Sequence, residues 1–170
     1  METTTESTKS EHMVLVGVNP LGIPDLFRAF GHWVVWKLVP KKDRFTKVPY
    51  SAKTGTRAST TDSRTWATFP EALEALESGK YGGIGFVLSS GDPFVAFDFD
   101  DCCDPETGEV DEDVLQFIRR FKNRYVEVSP SGTGLHLITH GKLLGGTKKG
   151  GYELYGVERY ITFTGEVYDV

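Results

Sequence analysis

The run Val95-Ala96-Phe97-Asp98-Phe99-Asp100-Asp101 alternates apolar and acidic side chains with the period of an extended strand. Val95, Phe97 and Phe99 face one way, and Ala96, Asp98 and Asp100 the other. Two residues of strand rise about 6.6 Å, so Asp98 and Asp100 are same-face neighbours. Like charges at that spacing repel, and aspartate is depleted in strands. The pair therefore calls for a cation between the carboxylates, and hard oxygen ligands suit Mg²⁺ or Mn²⁺. A solvated pair at a strand end is the plainer reading, although the surrounding residues are too apolar for a casual edge.

Three further groups have the types that such a site would use. Ser131-Gly132-Thr133-Gly134 supplies two glycines and two hydroxyls, a composition that lets backbone N–H groups approach an anion. His136 follows it on a strand, where it is either a packed core histidine or a donor to a phosphate oxygen. Glu153 alternates against Tyr152 and Leu154, and is either a surface glutamate or the third carboxylate that a two-metal site needs. Arg159, Lys148 and Lys149 are candidate counter-charges for a phosphate.

Competing chemistries fit less well. A calcium loop counted from Asp98 puts Cys102 and Cys103 where it needs an oxygen ligand and glycine. His136 and His140 lie about 13 Å apart along a strand, too far to share a metal. The adjacent cysteines lack zinc spacing and rule out a disulfide framework, so no zinc is expected. An aspartyl-nucleophile phosphatase of the haloacid dehalogenase type wants Thr or Val where Cys102 stands.

The elements that must position these residues read as follows. Ile23 to Phe30 is a short helix, and His32 to Leu38 a strand that Pro40 stops. Lys47 to Tyr50 makes a short edge strand before an exposed loop over Ser51 to Ser59. Thr68 to Ser78 is a helix, and Ile84 to Leu88 a strand joined to the Asp98 strand as a hairpin. Asp111 to Lys122 is a scaffold helix with an apolar stripe and charges that complement its dipole. Strands follow over Arg124 to Ser129, Leu135 to His140 and Glu158 to Thr164, with a Gly/Lys-rich connection over Gly141 to Gly151. The mixture indicates an α+β fold with a largely antiparallel sheet.

A chain of 170 residues can bury one substantial core. Residues 1–12 read as a disordered tail ahead of a single domain over 13–170. No apolar run nears the roughly 18 residues of a membrane span, and the chain reads as cytoplasmic. The net charge of −5 hides a segregation: Lys37 to Arg64 has eight basic and two acidic residues, and Asp92 to Asp113 ten acidic and none basic. A basic lobe beside an acidic strand suits a polyanion that is held and then reacted upon, although two solvated faces would look the same. Lys47, Lys53 and Arg57, interleaved with Tyr50 and hydroxyl residues, are either candidate phosphate contacts for nucleic acid or part of a plain surface loop.

Taken in order, Asp98-Phe99-Asp100, Ser131-Gly132-Thr133-Gly134-Leu135-His136 and Glu153 with Arg159 resemble the motifs of the archaeo-eukaryotic primase superfamily. The nearest type is the primase-polymerase of archaeal plasmids, viruses, phages and other mobile elements. The resemblance implies a catalytic palm with an RRM-like, mostly antiparallel sheet (about residues 81–170) and a small N-terminal α/β lobe (about 13–80). It implies a nucleotidyltransferase, a DNA primase or polymerase acting in replication with two Mg²⁺ or Mn²⁺ ions. Asp98, Asp100 and Glu153 would ligate the metals, Glu153 standing where the family often has Asp. Ser131, Gly132, His136 and Arg159 would hold the triphosphate. The implied partners are nucleoside triphosphates, single-stranded template or primer-template, and a helicase domain or protein. A non-catalytic replication-initiation module gripping nucleotide or single-stranded DNA is the alternative.

Overall fold

The computed structural model describes residues 15–170 apart from 43, 145 and 150; the tail expected over 1–12 lies outside the described residues. Asp25–Arg28 forms α1, and Trp33–Lys41 (β1) and Arg44–Tyr50 (β2) form a hairpin. Phe69–Glu77 (α2) leads to Gly83–Leu88 (β3) and Phe94–Phe99 (β4). Glu112–Ile118 is α3. Arg124–Val128 (β5), Leu135–His140 (β6), Gly146–Lys149 (β7), Tyr152–Tyr155 (β8) and Arg159–Phe163 (β9) complete the order. Among the described residues no helix is long and apolar enough to cross a membrane.

Two sheets result, with strand orders β2-β1-β3-β9 and β5-β6-β4-β8-β7. Every pairing between these strands is antiparallel, as the α+β reading expects. The sheet begun before residue 80 is completed by β3 and β9, from beyond it.

Four expectations need correcting. β3 and β4 are not a hairpin: they lie in different sheets. Buried Asp92 turns the chain between them, its carboxylate accepting from the N–H groups of Ser89 at 2.7 Å and Phe94 at 3.0 Å. Pro40 does not stop β1, which runs to Lys41. Beyond Trp36 only β2 pairs with β1, so a residue without N–H is tolerated there. The Gly/Lys-rich connection contains β7, a short edge strand whose exposed Lys148 blunts that edge. The scaffold helix closes early, in single turns that set Phe121 against Phe97 with ring centroids 5.3 Å apart.

The alternation of β4 decides where the core goes. Val95, Phe97 and Phe99 pack with Leu135, Leu137 and α3 on the outer face of the second sheet. Ala96, Ile138 and Tyr125 on the other face meet Phe27, Phe86 and Phe163, which join the two sheets. Burying a large aromatic or aliphatic side chain contributes about 1.5–3 kcal/mol, so both faces of β4 are fixed by packing. Asp98 lies on the face turned toward the first sheet, at the end where the sheets part around a cleft of about 620 Å³.

Candidate active site

One residue from each strand of the second sheet forms a single row. Glu127 on β5 is opposite His136 on β6, and His136 is opposite Asp98 on β4. Asp98 is opposite Glu153 on β8, and Glu153 is opposite Lys148 on β7. Strands stand about 4.8 Å apart, so these five charged or chargeable side chains are successive neighbours.

The inner end of the row is closed. Glu127 is fully buried and accepts from the Tyr125 hydroxyl at 2.7 Å and the N–H groups of Thr164 at 3.0 Å and Gly165 at 2.8 Å. Its Oε1 lies 3.0 Å from His136 Nδ1. Burial opposes a charged imidazole, but the hydrogen bond to Glu127 and the charges of Asp98 and Glu127 outweigh it, and the His136 pKa is raised. His136 Nε2 is 3.5 Å from Asp98 Oδ1, at the limit of a hydrogen bond, so this donor is under-used.

The outer end is open. Glu153 pairs with Lys148 Nζ at 2.7 Å and accepts from the Tyr155 hydroxyl at 2.8 Å, which also reaches Asp98 at 3.4 Å. Hydrogen bonds from Lys148 and Tyr155 hold the Glu153 carboxyl below its ordinary range. Asp100, just past β4, is pushed the other way by desolvation and by the charges of Asp98, Asp101 and Glu153. The structure brings Asp98, Asp100 and Glu153 near one another, and Asp100 feels the charges of the other two. Among the described residues, however, no three His, Cys, Asp or Glu side chains stand as a ready-made metal cluster. Lys148 supplies a local positive charge beside Glu153.

The Ser129–Gly134 loop lies against the end of β4. Gly132 has φ +78°, the left-handed region that favours glycine, and a Cβ on Gly134 would strike the Phe99 carbonyl. Ser131 bonds Ser129 at 2.9 Å and Thr133 at 3.1 Å, and Thr133 donates to Asp101 at 3.3 Å. Ser131 and His136 therefore border the same cleft as Asp98 and Asp100. Arg159 is exposed in an adjoining pocket of about 340 Å³ with Lys148, Glu153, Tyr155 and Tyr160. The Lys149 side chain lies outside the described residues.

Of the proposed nucleic-acid contacts, Lys47 borders the cleft, and its charge opposes protonation of His136. Lys53 and Arg57 are exposed in the turn beyond β2 and do not line it. The sequence reading missed Glu127 and Tyr155. Glu127 was detectable in principle, because a glutamate between Val126 and Val128 in a strand must find buried partners.

No family model matches the chain. A DNA primase-polymerase of Nitratiruptor phage NrS-1 is 39% identical over 147 residues, 82% of this chain and 20% of that protein. The chain thus spans about one fifth of the relative's length. This similarity bears out the resemblance to the primase-polymerase type of the archaeo-eukaryotic primase superfamily.

Proposed function

We propose, from this kinship with a primase-polymerase, that the chain transfers nucleotides onto a DNA-templated 3′-hydroxyl or an initiating nucleotide during replication. The observation that carries the reading is the union, at one cleft, of Asp98 and Asp100 with the Ser131–His136 segment. The cleft volume of about 620 Å³ falls within the range of small-molecule sites.

The donor set of Asp98, Asp100 and Glu153 fits a hard divalent ion, Mg²⁺ or Mn²⁺: all three donors are carboxylates, and desolvation together with their repulsion raises Asp100. Such ions would activate the attacking hydroxyl and neutralise the leaving pyrophosphate. The protein's own residues do the remaining work. Ser131 and Gly132 offer hydroxyl and backbone donors to the triphosphate, and His136 Nε2, whose contact with Asp98 is long, has a proton to offer it. Arg159 counters phosphate charge from the adjoining pocket, and Lys47 holds the strand. Tyr155 keeps the Glu153 and Asp98 carboxylates oriented.

A catalytically silent module that grips nucleotide or single-stranded DNA is the second reading, favoured by the Lys148 ammonium on Glu153. The two part on one experiment. Labelled-nucleotide incorporation is measured on single-stranded template, with and without primer, in Mg²⁺ or Mn²⁺, beside the Asp98→Asn variant. Activity that falls on the order of a thousandfold in the variant supports transfer, and the unprimed reaction separates primase from polymerase. Binding without incorporation, unaffected by the substitution, supports the silent module. A helicase domain or protein as partner and a cytoplasmic location belong to the same proposal.

A further inference from the structure

One large aromatic side chain beside the cleft is left out of every core. Phe45 is 62% exposed near the tip of the β1–β2 hairpin. It shares one face of β2 with Lys47, two residues along, and both border the cleft that holds Asp98 and Asp100. Phe45 pairs with Pro40, and Lys47 with Leu38, so the exposed ring and the Lys47 ammonium lie on one face of the hairpin over apolar partners.

The tip is also strongly basic. Residues 41–47 contain Lys41, Lys42, Arg44 and Lys47 against one acidic residue, Asp43. Lys41, Lys42 and Arg44 are exposed, and among the described residues none of the four basic residues is in an ion pair. An exposed aromatic ring among cations is the pairing that single-stranded nucleic acid recognises, bases stacking on the ring while phosphates follow the charges. A plain surface turn would leave the ring without purpose, since exposing it forgoes the burial that every other Phe near the cleft obtains.

We infer that the β1–β2 hairpin is a strand-binding finger, on which Phe45 stacks a base of single-stranded DNA while Lys41, Lys42, Arg44 and Lys47 contact its phosphates. The inference deepens the proposed function by naming where the nucleic acid rests. A strand, rather than a free nucleotide, is favoured because the basic residues are spread over both strands and the tip of the hairpin.

The test uses the full chain. Phe45→Ala removes the ring, and Phe45→Trp keeps it and adds a reporter. The native tryptophans, Trp33, Trp36 and Trp66, are at most 6% exposed and contribute little quenching by external ligands. Probes are a thymidine oligonucleotide, an abasic strand of the same length, and a nucleoside triphosphate alone. Phe45→Ala should bind the oligonucleotide about five- to a hundredfold more weakly, the range that one stacked base carries. Phe45→Trp should bind as the parent does and be quenched by the oligonucleotide but not by the abasic strand. Unchanged affinity in Phe45→Ala would overturn the inference and assign the patch to a protein contact. Quenching by triphosphate alone would overturn it in favour of the incoming nucleotide. Incorporation assays are scored separately, so loss of the Asp98-dependent activity and loss of base stacking are distinguishable results.

Discussion

Asp98 has an acid–base pair on each side, and the two pairs are built in opposite ways. Toward the interior come His136 and then Glu127; toward solvent come Glu153 and then Lys148. The inner pair is buried, and backbone amides of another segment clamp its carboxylate. The outer pair rests on a long exposed lysine, 69% exposed at its side chain, and one tyrosine hydroxyl. The same sheet therefore fixes one carboxylate immovably and leaves the other free to exchange its partner.

Removing Glu127 should break the comparison most severely. Glu127→Ala leaves two amides, a tyrosine hydroxyl and His136 without their buried acceptor, and should cost on the order of 3–5 kcal/mol in urea unfolding. A loss typical of a surface glutamate would show that the inner pair is no clamp.

A smaller effect lies in pH. Because the folded His136 pKa is raised, folding favours the protonated ring. That stabilisation is complete below the unfolded value of about 6.5 and is lost as pH rises through the higher folded value. Unfolding free energies measured between about pH 6 and 9 should fall with pH in the parent and flatten in Glu127→Gln, where the ring loses its charged partner. An identical slope in both would remove Glu127 as the cause.

The smallest effect on stability belongs to Lys148. Lys148→Ala should leave the unfolding midpoint unmoved, since exposed pairs contribute little. It should also let the Glu153 carboxyl rise toward its ordinary range and tighten Mn²⁺ binding, followed by water-proton relaxation. Weaker Mn²⁺ binding would mean that Lys148 helps to build the site instead of competing for it.

What could be read from the chain alone follows from the range of each signal. The alternation of β4 and β6 is local, so both strands and the common face of Asp98 and Asp100 were legible, whereas the pairing of Asp98 with His136 was not. The Ser90-Gly91-Asp92-Pro93 turn was legible as a turn but not as a crossover, because the same residues suit either and the partner strand is decided elsewhere. The row itself needed four strand registers at once, so Glu127 remained one glutamate in a strand. Lys53 and Arg57 were chosen by composition, which records charge but not which end of a hairpin carries it.

The return of β9 to the first sheet has a consequence for the order in which the molecule is made. Phe163 pairs with Ile84, and the Thr164 and Gly165 amides that follow it hold Glu127 in the second sheet. A chain emerging from the ribosome carries the acidic strand and the serine–glycine loop well before it has these amides. Pairings so distant in sequence form late, after the loop between them has closed. The histidine can therefore be set behind Asp98 only once β9 has docked, so the row across the second sheet is the last part of the molecule to be completed.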